Sequence, residues 1–303
     1  MEPSESPIAL SLIVATVGRT EELSRLLRSL GTQQFPWLEL IIVDQNSDDR
    51  VKSLLDRAEL SVRHTYLRSP RGVSRARNAG LAIVLGAIIG FPDDDCWYPA
   101  NLLEQIKEWF DHHAECQFLC CSMRDETGRE VAARWPLRSQ RLDSNSVLQA
   151  AASASLFIRR EALRQVGGFD EQIGLGAVTP FQSGEDTDLA IRCLRAGGNG
   201  WFEKSLYVHH PRRDIDRVTA DRALAYGIGF GYLLGKHGYP VWSVAYHIAR
   251  AFGGMVKSLL LLRITHATFY WHSVRGRWKG YATLGRTARE ATRLLVGQDR
   301  ADG

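Results

Sequence analysis

The chain has 303 residues, 45% of them hydrophobic and 24% charged, and this balance excludes an intrinsically disordered protein. The length allows one large domain, or one domain with an extension. The charge is uneven, because residues 211–303 carry 15 Lys and Arg against 6 Asp and Glu, a net charge of +9, whereas residues 1–210 have a net charge of −5. Five cysteines without paired spacing argue against a disulfide framework and favour buried free thiols.

Strand and helix patterns alternate from the start of the chain to residue 113. The apolar run over residues 8–15 predicts a first strand rather than a signal peptide, because no basic residue precedes it. Helices are then predicted within 20–34, 50–60, 72–86 and 99–113, and strands within 38–49, 62–68 and 87–91. This alternation predicts an α/β fold with a Rossmann-like, mostly parallel sheet and helices on both faces.

Two acidic turns follow strands of this predicted sheet. "VDQNSDD" begins at Val43, and "PDDD" ends at Asp95. Ligands of such sheets bind just beyond the carboxyl ends of the strands. The loop after the first strand contains neither a Gly-Lys phosphate loop nor a dinucleotide fingerprint. Any phosphates would therefore be held by a divalent cation on carboxylates.

Five motifs follow one another along the chain: "SLIVATVGRTEEL", "IIVDQNSDD", "SRARNAGLAIVLGAIIGFPDDDCWYP", "SLFIRREALRQVGGFDE" and "GEDTDLAIRCLRAG". Together they resemble the inverting, nucleotide-sugar-dependent glycosyltransferases of family 2, which have the GT-A fold. The likeness covers residues 8–215. It implies a catalytic domain over 1–215, with a nucleotide-sugar half over 1–113 and an acceptor half over 114–215.

The resemblance implies a metal site for Mn²⁺ or Mg²⁺. Asp95 is then a metal ligand, and Asp93 contacts the metal or the ribose of the nucleotide. No ligand role is expected for Asp94 or Cys96. Further strands are predicted within 116–123, 153–160 and 201–211. His210, at the end of the last of these, matches a histidine that some family members have near the metal and the diphosphate. A solvated acidic turn and an ordinary strand-end histidine stay open as alternatives.

The nucleotide side of the donor site is implied in the same way. Asp44 matches the residue that contacts the nucleobase, and Thr16 matches another base-contacting position. Arg77 resembles the nucleotide-side arginine of the family. The sequence Gln45-Asn46 departs from the Asp-Gly that usually follows Asp44, which leaves the base open, although uridine is expected. A turn aspartate, a loop threonine and a helix-surface arginine are the structural alternatives.

The motif "GEDTD" supplies the expected catalytic residues. An inverting transfer needs one base to take the proton of the acceptor hydroxyl. The resemblance assigns that role to Asp186, with Glu185 binding the acceptor or positioning the base. Acidic residues that stabilise a helix N-terminus are the structural alternative. Asp188 is expected on the helix surface.

The basic C-terminal third, residues 216–303, is predicted to be a helical extension. Its G-x-G-x-G sequence follows no strand and is rejected as a dinucleotide site. Residues 241–262 form an amphipathic pattern, followed by aromatics mixed with Arg and Lys. Such helices bind membrane surfaces, or else they dock on a catalytic domain. A glycine-rich stretch from Gly174 to Asp186 is a candidate mobile lid.

These features predict a metal-dependent glycosyltransferase that uses a nucleoside diphosphate sugar and a saccharide or lipid-linked acceptor. The expected location is the cytoplasm, with peripheral attachment to the inner face of the plasma membrane. The alternatives are a nucleotidyltransferase on a similar sheet, an inactive lectin-like module, and a basic module that binds nucleic acid or membrane. The missing glycine-rich first loop argues against the nucleotidyltransferase, and the retained aspartates argue against the lectin-like module. No nucleic-acid partner is expected.

Overall fold

The computed structural model describes residues 8–58, 60, 62–131, 135–212 and 214–298, with side chains as far as residue 283. The chain divides into two compact units. We call Met1–Glu171 with Glu185–Arg212 the sheet unit, and Gln172–Gly184 with Arg213–Gly303 the helical unit. The segment just before the "GEDTD" motif therefore belongs with the C-terminal helices.

One sheet of eight strands organises the sheet unit: β1 Leu10–Thr16, β2 Leu38–Asp44, β3 Arg63–Arg68, β4 Ile88–Gly90, β5 Cys116–Arg124, β6 Gln140–Leu142, β7 Leu156–Arg159 and β8 Asn199–His209. The strand order is β3-β2-β1-β4-β7-β5-β8-β6. Neighbours from β3 to β4 are parallel, as are β5 and β8, whereas β7 and β6 run antiparallel to their neighbours. The predicted α/β fold with a mostly parallel sheet is confirmed, and the short β6 is the strand that the sequence pattern did not indicate.

Helices connect these strands. Those described in the sheet unit are α1 Glu21–Gly31, α2 Arg50–Arg57, α3 Val73–Leu81, α4 Leu102–His112, α5 Val147–Ala150, α6 Arg160–Val166 and α7 Glu185–Arg195. Those of the helical unit are α8 Arg217–Lys236, α9 Val241–Leu260 and α10 Ile264–Gln298. Strand and helix alternate through α4, as the sequence predicted.

The alternation of side chains along β1 explains how helices cover the sheet. Leu12 and Val14 lie in a buried cluster that includes the leucines of α1. Ile13 faces the opposite side, where a Cβ on Gly80 of α3 would lie only 2.5 Å from its Cγ2. Because successive strand residues face opposite sides, helices pack on both faces of the sheet. Gly80 lets α3 approach β1 closely. Arg77 lies one turn earlier on the same helix and is thereby brought towards the carboxyl ends of the strands.

Asp188 corrects one expectation. The sequence predicted it on the helix surface, but it is fully buried and accepts a 2.8 Å hydrogen bond from Arg192 Nε. Arg192 also donates to the carbonyls of Val166 and Gly168. The pair therefore ties α7 to the end of α6. Helical periodicity could not reveal this, because a buried ion pair and an exposed one have the same spacing.

The glycines of α8 serve close packing. A Cβ on Gly231 would lie 2.1 Å from the Arg277 carbonyl oxygen of α10, and one on Gly229 would lie 2.4 Å from the Ser183 carbonyl oxygen. Only glycine allows backbones to approach this closely. Helix packing thus accounts for the G-x-G-x-G sequence without a bound dinucleotide.

The segment Gln172–Gly184 is anchored to α8 at its C-terminal end. Ser183 Oγ donates to the Tyr226 carbonyl at 2.9 Å, and the Phe181 ring stacks on Tyr232 with centroids 3.7 Å apart. Ser183 lies two residues before Glu185. The helical unit therefore holds the chain that leads directly into α7. The hypothesis of a mobile lid over this stretch stays a prediction.

Two expectations from composition concern the whole chain. All five cysteines are buried and unpaired, as predicted. Among the residues that the structure describes, none of the helices combines the length and the hydropathy that crossing a lipid bilayer requires.

Candidate active site

The aspartate turn and a histidine meet at the carboxyl ends of β1, β4 and β8. Asp93 forms a bridge with Ala15 of β1. The Trp97 N–H donates to the His209 carbonyl at 3.0 Å, and the His209 N–H donates back to the Trp97 carbonyl at 2.9 Å. This paired contact holds the end of β8, and with it His210, beside the aspartates.

Asp93, Asp95 and His210 form a cluster that fits a divalent cation. Each offers one ligand atom, and these atoms lie within 4.8 Å of one another. His210 Nε2 lies 3.3 Å from Asp95 Oδ1 and 3.7 Å from Asp93 Oδ2. Burial opposes the charge of His210, but its hydrogen bond to Asp95 and the negative charges raise its pKa above the ordinary value. Two carboxylates with one further ligand suit Mn²⁺ or Mg²⁺.

The middle aspartate has different partners. Asp94 accepts a hydrogen bond from Thr16 Oγ1 at 2.8 Å and another from Arg19 Nη1. Arg19 also lies 2.9 Å from Asp95 Oδ2, so it supplies a cation to the crowded turn. Sequence reasoning missed Arg19, whose one signal was its place in the loop after β1. Thr16 is fully buried, and its hydroxyl donates to Asp94.

Arg77 joins the cluster to the acidic start of α7. Its nearly inaccessible guanidinium places Nη2 at 3.2 Å from Asp93 Oδ1 and Nη1 at 2.9 Å from Asp186 Oδ1. Nη1 also lies 3.2 Å from Glu185 Oε1. One buried cation shared by three carboxylates holds them in a common geometry. Of the residues selected from the sequence, the structure thus brings Arg77, Asp93, Glu185 and Asp186 together.

Asp186 is the carboxyl of this group with the strongly raised pKa. Burial and the negative charge of Glu185 raise the pKa of Asp186 to about 8, although the Arg77 guanidinium acts in the opposite direction. The Asp186 side chain keeps 16% of its surface exposed. A partly accessible carboxyl whose pKa lies near neutrality is able to take a proton from a hydroxyl group.

A cavity of about 470 Å³ is lined by loops that follow β1, β2 and β3, including Gly18, Asn46 and Arg71. Asp44, at the end of β2, is fully buried. Its Oδ1 accepts hydrogen bonds from Asn46 N at 2.8 Å and Asn46 Nδ2 at 2.7 Å, and its Oδ2 accepts one from the Tyr66 hydroxyl at 2.9 Å. Asn46 Oδ1 in turn accepts from Gly18 N at 2.8 Å. Asp44 is thus the anchor that shapes one side of the cavity.

Tyr66→Phe is expected to lower the free energy of unfolding by about 1.5–3 kcal/mol, because the buried Asp44 carboxylate loses a donor. Urea unfolding at neutral pH measures this. Tyr98→Phe is the matched control, since Tyr98 is buried and its hydroxyl has no hydrogen-bond partner within the described chain. That variant is expected to be as stable as the parent or more stable. Equal losses in both variants would contradict the role given to the Tyr66 hydroxyl.

Comparisons with known proteins identify the family of this chain. The profile of "Glycosyl transferase family 2" matches residues 11–167. The pre-mycofactocin glycosyltransferase of Mycobacterium tuberculosis is 27% identical over 243 residues, which are 75% of this chain and 48% of that protein. The GalNAc(5)-diNAcBac-PP-undecaprenol beta-1,3-glucosyltransferase of Campylobacter jejuni is 25% identical over 240 residues, 74% of this chain and 72% of that protein. The chain thus spans about half the length of the mycobacterial relative.

Solved structures share the fold. The mannosyltransferase PcManGT from Pyrobaculum calidifontis, in complex with GDP-Man and Mn²⁺, superposes with a TM-score of 0.61 at 18% identity, over 92% of this chain and 88% of that one. S. aureus TarS 1-349, in complex with UDP-GlcNAc, has a TM-score of 0.57 at 13% identity, over 89% and 91%. The family profile covers more than half of the sequence, including the aspartate turn and α3. The chain therefore belongs to glycosyl transferase family 2.

Proposed function

We propose that this chain transfers a sugar from a nucleoside diphosphate sugar to a saccharide or lipid-linked acceptor, with inversion at the anomeric carbon. The buried Arg77 bridge is the observation that carries the proposal. It sets Asp186, a carboxyl with a raised pKa, on the same cation as Asp93 of the metal-binding cluster. A proton acceptor and a site for the leaving group are thereby held a fixed distance apart, as a displacement reaction requires.

The named groups account for the proton and the two bonds that change in the reaction. Asp186 takes the proton of the acceptor hydroxyl while that oxygen forms a bond to the anomeric carbon. The bond between that carbon and the phosphate oxygen breaks, and the nucleoside diphosphate leaves with the electron pair. Attack from the face opposite the leaving group inverts the configuration. Glu185, on the other side of Arg77 Nη1, keeps Asp186 oriented.

Asp93, Asp95 and His210 would hold Mn²⁺ or Mg²⁺, which when bound offsets the charge of the departing diphosphate. Arg19 has a related effect within the chain itself, because it neutralises part of the charge on Asp94 and Asp95. The pKa of His210 is raised, so protonation competes with metal binding as the pH falls.

The donor is expected to be a uridine diphosphate sugar, with the base in the cavity beside Asp44. Asn46, which replaces the family's usual glycine, contacts both Asp44 and Gly18 there and is a reason to test other bases. A lipid or lipid-linked acceptor is consistent with two relatives, the glucosyltransferase of Campylobacter jejuni, whose name contains an undecaprenol-linked saccharide, and the beta-monoglucosyldiacylglycerol synthase of Synechocystis. Assembly of a polysaccharide or glycolipid is the corresponding role.

The deciding experiment is calorimetric titration of the full chain with UDP, GDP, CDP and dTDP, with and without Mn²⁺. Metal-dependent binding of one nucleotide is expected, and it would direct a screen of the corresponding sugar donors by diphosphate release. Binding of none of the four by folded protein would overturn the proposal. Strong binding without any effect of Mn²⁺ or Mg²⁺ would remove its metal-dependent part.

The rate of donor hydrolysis by water is expected to rise with pH between about pH 7 and pH 9, with its midpoint near pH 8, and then to level off. The reason is that Asp186, with a pKa of about 8, acts as a base only when deprotonated. Release of nucleoside diphosphate, measured with saturating metal at each pH, gives the profile. Glu185→Gln removes a neighbouring negative charge and should move the midpoint to lower pH. A profile that is flat over this range would contradict the assignment of Asp186.

A further inference from the structure

Helix α9 packs with its polar side inwards. Ser243, His247 and Ser258 are buried, and a Cβ on Gly254 would lie 2.7 Å from the Tyr270 ring of α10. The buried side of α9 thus consists mostly of small and polar residues, with Val244 as its larger apolar member among the described buried residues. When the side of a helix that faces its own protein carries small and polar residues, the large apolar residues of that helix lie on the other side.

The opposite side of α9 is apolar and exposed. We call it the outer face; it consists of Val241, Trp242, Ala245, Tyr246, Ala249, Phe252 and Val256. It continues into four exposed leucines, Leu259–Leu262, which we call the leucine corner. Trp242 is 69% exposed, Leu260 79% and Leu262 84%. A continuous exposed apolar surface of this kind indicates an interaction site.

The leucine corner contains a backbone conformation that favours glycine. Leu262 has φ +55°, and it closes α9 through hydrogen bonds from Leu262 N to the Leu259 carbonyl and from Arg263 N to the Ser258 carbonyl. Glycine is the usual residue at this position of a helix end, because a side chain is strained there. An exposed leucine side chain contributes little to the free energy of folding, so it does not offset this strain. Folding of the chain therefore gives no reason for a leucine rather than a glycine at this position.

The charge around this surface has one sign. Residues 222–289 contain no Asp or Glu, while Lys257 and Arg263 are exposed at the edge and the end of the outer face. The guanidinium of Arg250 lies 5.8 Å from the centre of the Tyr246 ring. Exposed Trp and Tyr beside Lys and Arg are typical of segments that lie at the boundary between lipid head groups and acyl chains.

We propose that the outer face and the leucine corner bind the surface of an anionic phospholipid bilayer, with α9 lying in the plane of the interface. The apolar side chains enter the acyl region, while Arg250, Lys257 and Arg263 remain among the phosphates. A second copy of the chain is a poorer occupant, because pairing two such surfaces would bring two acid-free basic segments together. This inference is independent of the proposed reaction.

The test is flotation of the full chain with vesicles of phosphatidylcholine alone and of phosphatidylcholine mixed with phosphatidylglycerol. Binding is expected with the anionic vesicles and should weaken as salt is raised. Leu260→Ser and Trp242→Ser should each weaken binding about tenfold, since each removes one large buried apolar group. Lys257→Gln should weaken it on the order of fivefold on anionic vesicles and have no effect on neutral ones.

Two variants separate binding from folding. Leu262→Gly should weaken vesicle binding about tenfold while the melting temperature stays equal or rises, because glycine relieves the positive φ. Leu137→Ser is the matched control, because this leucine is 89% exposed but lies in the sheet unit, and its loss should not change binding. Absence of vesicle binding, or equal effects of Leu137→Ser and Leu260→Ser, would overturn the proposal. A dimer seen by sedimentation that Leu260→Ser breaks, without vesicle binding, would overturn it in favour of self-association.

Discussion

Asp186→Asn is expected to lower the transfer rate by about 10²- to 10⁴-fold while nucleotide binding stays intact. The amide keeps the size of the carboxyl and remains within reach of Arg77, which lies 2.9 Å from the present carboxylate. It cannot accept a proton from the acceptor hydroxyl. Single-turnover measurements of sugar transfer, beside calorimetric titration with the nucleotide, separate loss of the base from loss of the donor site.

Stability provides an independent measurement on the same variant. The pKa of Asp186 is raised in the folded state, so this carboxyl favours folding when it is protonated, and that contribution is lost as the pH rises towards about 8. Asparagine resembles the protonated form at every pH. Asp186→Asn should therefore melt at a higher temperature than the parent above pH 8, and the difference should shrink in acid.

Asp188→Asn is the matched control, two residues further along α7. Asp188 is fully buried against Arg192 and has no part in the proposed reaction. Its replacement breaks a buried ion pair and should lower stability by about 3–5 kcal/mol, with a similar rate per folded molecule. If Asp188→Asn abolished transfer in folded protein while Asp186→Asn did not, the roles of the two aspartates would have to be exchanged.

That the selected residues would lie together could be predicted from the sequence, because it depends on topology. Asp44 and Asp93 directly follow apolar strands, and the carboxyl ends of parallel strands lie on one edge of the sheet. The motif that contains Asp186 begins a helix, which turns its first acidic residues towards that edge. Periodicity placed these residues at the ends of strands and at the start of a helix, and the resemblance to family 2 selected them, but neither gave the contacts between them.

The hydrogen-bond partners of these residues could not be predicted from the sequence, since they depend on side chains that meet across distant parts of the chain. Arg19 reaches the aspartate turn from the loop after β1, and Tyr66 reaches Asp44 from β3. A single arginine or tyrosine carries no periodic signal. The same limit hid the orientation of α9, because a helical pattern shows two sides but not which of them packs against the protein.

Asp95→Ala is expected to weaken metal-dependent nucleotide binding by about 100-fold or more. Asp95 is one of two carboxylates in the candidate metal cluster, and it lies 3.3 Å from His210 Nε2 and 2.9 Å from Arg19 Nη1. Its removal takes away a candidate ligand and leaves the Arg19 guanidinium beside the site without one of its carboxylate partners. Calorimetric titration with the nucleotide selected in the screen, at increasing Mn²⁺, measures the loss.

Asp94→Asn is the control, because Asp94 lies between the two candidate ligands in sequence but pairs with Thr16 and Arg19. It lowers the negative charge of the turn by the same amount as Asp95→Ala does. If the effect of Asp95→Ala came from charge alone, the two variants would lose affinity equally. We expect Asp94→Asn to retain metal-dependent binding with a loss of about tenfold, the lower end of the 10- to 100-fold that loss of a residue next to a metal ligand typically costs. Equal losses would reduce the aspartate turn to a source of negative potential and remove Asp95 from the metal site.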